Sequence, residues 1–510
     1  MWQLGRILAD NAISAVSNMK RRTKVIVLIM LALVALGWYF QQWGQPVPVA
    51  YERVAANRYR SLVSPSTVYI AADETGDGTV DRVYPEDNPA RGFRRPAATD
   101  PDARWLLLCV DGVPFEEIQA LWNEGYFREF FPPSEVISTF PSESETALTD
   151  LFHASPVPGY EHRYFDRKEN RLRGGLGPTL TGKGVPYLAL LDYDMPGILK
   201  GFNYTVPHKG YRADLGRFRK RFLASNERIF LAHIASGDAI YHVLSREETR
   251  KLLIELDTLL RDLYYASEGK LRILFFSDHG NNQVPSRAVP LKHFLRERAW
   301  RLADSLVAAR DLVVPAYGLV GFLAVYCQPE ARLELARDLA QMEGVDFVVY
   351  EKENGVAIEG SGAKALLEWT PRGRHFRYRT EHGDPLALTA VVAELSRAGK
   401  VDRDGWLAEA DLTAATLRHV YPDAAYRLYQ WATNHVRNRA DILVSLAPGY
   451  YHGRASFGWV VTLLSTHGSF DRPQSVGFAM STDEPLPPVL RTRDLLPAPI
   501  TRGKANRASH

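Results

Sequence analysis

Four apolar runs in this chain are each followed closely by an acid, an imidazole or both. "WLLLCV" (105–110) is followed by Asp111 and Gly112. "RIFLAHIA" (228–235) leads to Asp238 and His242, "LRILFF" (271–276) to Asp278, His279 and Gly280, and "WVVTLLS" (459–465) to His467 and Gly468. One Asp-His pair behind a strand is ordinary loop chemistry; the repetition is the signal. In a parallel sheet the carboxyl ends share one edge, and open α/β sheets place ligands there. Three carboxylates and three imidazoles would then converge. Carboxylate with imidazole is a ligand set for zinc and similar divalent ions. Three acids on one edge repel unless cations offset them. Two ions with three such ligands each, about 4 Å apart, suit in-line displacement at phosphorus.

A nucleophile belongs nearby. "STFPSESETALTD" (138–150) follows a short strand, opens an expected helix, and carries Ser142, Ser144, Thr146 and Thr149. A hydroxyl beside a divalent ion is acidified into a usable nucleophile, and a helix N-terminus favours a phosphate anion. Ser and Thr are also the common N-caps, so these residues alone do not choose between the two roles.

These groups need a frame that holds them on one edge. Strand and helix alternate along the chain, which predicts an α/β fold with a mainly parallel central sheet flanked by helices. A helix is expected over 114–127. Ser245 and Glu248 form a capping box, opening a helix whose Leu252, Leu253, Leu256, Leu259, Leu260 and Leu263 recur at helical spacing. Residues 312–388 read as a small α+β insertion, a candidate lid, between catalytic parts at 104–311 and 389–484. Residues 44–103 read as a linker with a hairpin. Its turn, with Asp73, Gly76, Asp77, Gly78 and Asp81, resembles short calcium loops, but Tyr84 stands where an EF-hand needs Glu. A glycine hairpin with solvated acids is the simpler reading. The Pro- and Arg-rich residues 485–510 are expected to be poorly ordered.

At 510 residues the chain exceeds one small core. A net charge of +3 gives no reason to expect a nucleic-acid partner. Cys109 and Cys327 alone make no disulfide framework. Residues 25–43 carry no charge, and the run is close to the roughly 20 residues that span a bilayer as a helix. Lys20, Arg21, Arg22 and Lys24 precede it, and Trp38, Tyr39 and Trp43 lie at its far end. The positive-inside rule then leaves residues 1–24 in the cytoplasm. The expectation is a single-pass protein of the cytoplasmic (inner) membrane, with its catalytic domain on the periplasmic or extracytoplasmic side. A cleaved signal ending near Ala50 is the rival reading.

The order Asp-Gly, P-S-x-S, D-x-x-x-H, S-D-H-G and H-G resembles the alkaline phosphatase superfamily, and within it the type I phosphodiesterase/nucleotide pyrophosphatase branch. The likeness covers roughly residues 104–290 and 455–480. It implies a two-metal phosphohydrolase or phosphodiesterase acting through a phosphoseryl intermediate on a phosphate-ester substrate, a small molecule or a lipid or glycan headgroup. Zinc is the implied ion, with manganese the alternative. Asp238, His242 and His467 would hold one ion. Asp111, Asp278, His279 and the nucleophile, Ser144 in "PSES", would hold the other. The branch usually has an Asn shortly after a Thr nucleophile; here Glu145-Thr146-Ala147 follows, which argues against nucleotide diesters. No C/S-x-P-x-R sulfatase motif occurs. Ser142 and Thr146 remain alternatives for the nucleophile, and His452 for His467. A headgroup transferase of the same superfamily and an inactive binding member are the other functional readings.

Overall fold

The computed structural model describes residues 37–62, 66–95, 103–175, 184–433, 436–454 and 462–496. Its central sheet has seven strands: β1 (Arg104–Val110), β2 (Ser134–Ile137), β3 (Tyr193–Asp194), β4 (Ile229–Ile234), β5 (Leu271–Phe276), β6 (Val476–Ser481) and β7 (Val489–Arg491), in the order β3-β4-β1-β5-β6-β2-β7. The first four lie parallel, with Val110 opposite Ile234 and Cys109 opposite Phe276. Their apolar sequences follow from burial on both faces: Leu106 to Val110 and Leu271 to Phe276 are all buried.

Five helices pack around this sheet: α1 (Phe115–Asn123), α2 (Ser144–Leu151), α3 (Pro207–Leu223), α4 (Ser236–Val243) and α5 (Arg246–Ala266). The capping box opens α5: Ser245 Oγ accepts from the Glu248 amide at 3.3 Å, and a Glu248 carboxylate oxygen accepts from the Ser245 amide at 3.1 Å. The leucines named from the sequence line its buried face.

The far side of the sheet departs from the parallel pattern. β6 runs antiparallel to both β5 and β2, and β7 pairs parallel with β2. β7 and the helical turn Thr492–Leu495 fall in the segment expected to be poorly ordered, so that expectation fails for residues 485–496. Among its described residues Arg491 pairs with Asp423 at 2.6 Å and with Glu409, Arg493 donates to Tyr426 Oη at 2.6 Å, and Leu495 and Leu496 are buried. The expected strand 459–465 is also corrected. Residues 462–468 form no strand, and 455–461 lie outside the described residues.

Residues 44–103 are more than a linker with one hairpin. Tyr51–Ala55, Arg58–Ser61, Val68–Ala72, Arg82–Pro85 and Phe93–Arg94 form a five-stranded antiparallel sheet. It is fixed to α5: Asp262 Oδ1 accepts from the amides of Ala50 and Tyr51 at 2.7 and 3.1 Å, and the rings of Tyr51 and Tyr59 meet Tyr265 edge-on. The acids of its turn lock the backbone. Asp73 accepts from the amides of Gly76 and Gly78, Asp77 from Thr79, and Asp81 from Glu74 and Thr75. The flanking strands pair antiparallel, Tyr69 opposite Pro85 and Ala72 opposite Arg82.

A second, nine-stranded sheet takes strands from Arg301–Leu302 to Ile442–Leu446. Ile442–Leu446 sits inside it, between Phe322–Cys327 and Val345–Lys352. Residue 388, expected as the end of an insertion, thus lies within this layer, because a strand distant in sequence completes the sheet. The seven- and nine-stranded sheets are each covered on both faces by apolar residues. The expected membrane span lies mostly outside the described residues; only 37–43 are described, as helix. Among the described residues no helix is long and apolar enough to cross a membrane.

Candidate active site

The parallel strands deliver their groups to one edge. Asp111 follows β1 directly, and Gly112 turns the chain at φ +71°. Asp278 and His279 follow β5, where Ser277 Oγ accepts from the Val113 amide at 2.8 Å and ties the two strand ends together. Asp238 lies in the first turn of α4, with His242 one turn later on the same face. His467 comes from the irregular segment before β6. Because β6 is antiparallel, its amino end lies at the carboxyl edge of β5, so a loop entering β6 reaches the same place as the loops leaving β1, β4 and β5.

Two buried groups result, the sets that the family resemblance implied: Asp238, His242 and His467, and Asp111, Asp278 and His279. In each group the ligand atoms lie within 4.8 Å of one another. The His279 and His467 rings stack at 4.1 Å between centroids, which puts the groups side by side. Ser144 Oγ, at the start of α2, lies 3.2 Å from Asp111 Oδ1 and 3.4 Å from His279 Nε2. The alternatives point elsewhere. Ser142 Oγ is buried among Thr139 O, Ser469 O and Ser475 Oγ. Thr146 Oγ1 bonds Pro141 O and Glu143 O. His452 donates to Pro315 O and belongs to neither group.

The donor set fits divalent ions. Each imidazole commits Nδ1 to a backbone carbonyl: His242 to Ser465 at 2.8 Å, His279 to Gly280 at 2.9 Å, His467 to Ser142 at 2.9 Å. That fixes the tautomer and leaves every Nε2 facing the carboxylates, the usual support of metal-binding histidines. Asp238 Oδ1 and Asp278 Oδ2 are buried without an aligned hydrogen bond. The Nε2 atoms of His242 and His467 lie 3.0 and 3.2 Å from Asp238 Oδ1, all three turned toward a common point.

The electrostatics call for positive charge. Burial pushes Asp278 up, aided by the charge of Asp111. For Asp111 burial acts the same way, but hydrogen bonds from His233 and His279 outweigh it and hold it low. Burial opposes the protonation of His279, yet Asp278 and Asp111 draw it up to about 10. Beside Ser144, Glu143 is raised well above the usual carboxylate range by burial and by the charges of Glu145 and Glu161. Glu161 is pushed up to about 8, again chiefly by burial.

His233 is a site residue that the strand pattern concealed. It lies inside the apolar run of β4, yet its Nδ1 is 3.1 Å from Asp194 Oδ1 and its Nε2 3.4 Å from Asp111 Oδ2. Lys200 Nζ holds the other oxygen of Asp194 at 2.7 Å. The row Lys200, Asp194, His233, Asp111 steadies the carboxylate that also faces Ser144. The available signal was a histidine on a fully buried strand, which must find polar partners. Tyr204, which donates to Asp238 Oδ2, had no sequence signal. His233→Ala is expected to weaken divalent-ion retention about 10- to 100-fold while leaving the far-ultraviolet circular dichroism unchanged; titration against a competing chelator measures it.

No protein-family model and no curated protein matches the sequence. Solved structures do resemble the chain. Phosphonoacetate hydrolase from Sinorhizobium meliloti 1021 in complex with phosphonoformate is 12% identical at a TM-score of 0.44, covering 82% of this chain and 97% of that one. Human ectonucleotide pyrophosphatase/phosphodiesterase 5 is 11% identical at 0.43, covering 79% and 95%.

Gly237 lets the start of α4 lie close against the end of β1. A Cβ there would stand 2.4 Å from Asp111 O and 3.0 Å from Asp111 N, both backbone atoms unable to give way. Gly237→Ala is expected to cost about 1–3 kcal/mol of stability, the usual range for overpacking, read by chemical denaturation. It should also separate Asp238 from Asp111 and lower metal content.

Proposed function

We propose that this chain is a two-metal phosphohydrolase or phosphodiesterase of the alkaline phosphatase superfamily, held at the membrane by residues 25–43 with its catalytic domain outside the cytoplasm. The observation that carries this reading is the pair of facing Asp/His groups with Ser144 Oγ between Asp111 and His279. Asp238, His242 and His467 would hold one ion; Asp111, Asp278, His279 and Ser144 the other, with zinc first and manganese second. Bound divalent ions would acidify the attacking hydroxyl and offset charge on the phosphoryl oxygens. Ser144 Oγ attacks phosphorus as the ester oxygen leaves on the opposite side, giving a phosphoserine that water then hydrolyses. Two in-line steps return phosphorus to its starting configuration. Asp111, steadied by His233, and Asp278, anchored through the Gly112 amide at 3.3 Å, keep the serine and its neighbours in register.

Glu143, Glu145 and Glu161 gather beside Ser144. Burial keeps Glu143 and Glu161 protonated near neutral pH, and a cationic group placed among them would draw those protons off, which favours a diester whose other group is cationic, such as an aminoalkyl or cholinyl headgroup, over a nucleotide. The reading is tested on the purified full chain, first by metal analysis and then on a panel of phosphomonoesters, nucleotide diesters and cationic-headgroup diesters. Absence of bound zinc or manganese in protein never exposed to chelator, with no turnover on any of the panel, would sink it. Headgroup transfer to an acceptor other than water shares the first step. A location at the bilayer favours it, and product analysis with a lipid donor and an added alcohol acceptor separates it from hydrolysis.

A further inference from the structure

The far end of the uncharged run 25–43 does not hang free. Phe40 is buried. The Trp43 ring lies against Gly216 of α3, 3.5 Å from where a Cβ would stand, and under Lys220 Nζ at 5.4 Å from its centroid. Tyr39 lies by the Arg217 guanidinium, and Gly44 is pressed against Lys209. On α3, Lys209, Gly216, Lys220 and Leu223 fall on one strip at helical spacing. Lys209, Lys220 and the flanking Arg221 are exposed and form no ion pair among the described residues. The one acid of α3, Asp214, is buried against Tyr193 and Ser236. Trp38, on the turn of helix that carries Tyr39 and Trp43, is 65% exposed, and Leu223 at the end of α3 54%.

We infer that this edge of the catalytic domain, with Trp38, Lys209, Lys220, Arg221 and Leu223, rests directly on anionic lipid headgroups. The inference rests on the proposed membrane anchor and goes beyond it. Once residues 39–43 are packed on the domain, the uncharged run left is 25–38. As a helix at 1.5 Å per residue it reaches about 21 Å, short of the roughly 30 Å of hydrocarbon. A short span draws its flanking groups toward the bilayer. The flanking groups here are an indole, an exposed leucine and cations without an ion pair, the chemistry that suits an anionic interface. The domain is then held in a fixed orientation against the membrane instead of swinging on a tether.

The test uses the full chain in vesicles. Cys109 and Cys327 are both buried, so a polarity-sensitive fluorophore on Leu223→Cys labels one place. In vesicles containing phosphatidylglycerol its emission should shift to the blue and iodide quenching should fall about threefold or more relative to detergent, an effect that weakens at high salt. The triple variant Lys209→Glu, Lys220→Glu, Arg221→Glu should reverse this while still floating with the vesicles and keeping turnover of a soluble substrate. Hydrogen exchange across 207–223 in the otherwise unlabelled chain gives a second reading. Chain that floats but leaves the probe as quenched as in detergent overturns the docking and spares the anchor. Chain that does not float overturns both. Equal protection in detergent alone would mean a second copy covers the strip, which also overturns it.

Discussion

Ser144→Ala is expected to reduce kcat by about 10³-fold or more, with less change in KM, because in the proposed mechanism its hydroxyl acts in the chemical step and not in holding substrate. The neighbouring hydroxyls serve as controls of different kinds. Ser142 Oγ stands in a buried network with Arg427, Ser469 and Ser475, and Arg427 reaches it at 3.2 Å. Ser142→Ala should therefore lower stability by about 1–3 kcal/mol, the cost of unpairing buried polar groups, with far less effect on turnover. Thr146 Oγ1 faces the backbone of its own helix start, so Thr146→Ala should stay active. Rapid-quench detection of a phosphorylated chain supplies a direct readout. If Ser144→Ala kept wild-type turnover while Thr146→Ala lost it, the register of the nucleophile would be off by two residues. If all three stayed active, water would be the direct nucleophile.

The second large effect is expected from Asp278→Ala. The residue sits at the sheet edge with an unbonded buried oxygen, and it neighbours Asp111 and His279. On the proposed two-metal reading its loss should remove one ion and lower turnover by about 10²-fold or more. Its truncation leaves the apolar core intact, so the stability loss should fall below the roughly 2–5 kcal/mol of a core cavity. Metal analysis of wild type and variant by mass spectrometry, alongside thermal unfolding, measures both. Retention of full metal and activity would break the constellation.

Much of the site was legible because it lies where local pattern is strongest. A strand buried on both faces reads as an unbroken apolar run, and a polar residue just after it has few ways not to lie at the sheet edge. That logic placed Asp111, Asp278 and His279. It placed His467 for a partly mistaken reason: the residue comes from an irregular segment, and the direction of β6 brings it to the edge. What stayed hidden depends on pairing across long sequence distances. β7 looked disordered because the partners of Arg491 lie at Asp423 and Glu409. Ile442–Leu446 completes a sheet whose other strands end much earlier. His233 looked like part of a core strand, since only the fold brings Asp194 and Lys200 to it.

The placement of β6 also bears on the order in which the chain is made. β2, the strand that leads into Ser144, pairs only with β6 and β7 among the described residues, both far later in the sequence. The ribosome therefore completes Ser144 and its strand long before it makes the strands that fix them. His467 emerges equally late. Pairing at such separation forms slowly, and here it waits for chain beyond residue 491. A nascent polypeptide with most of its acids and imidazoles in place lacks the edge that sets the serine against them. Ser144 can be set against them only once the chain through residue 491 has been made.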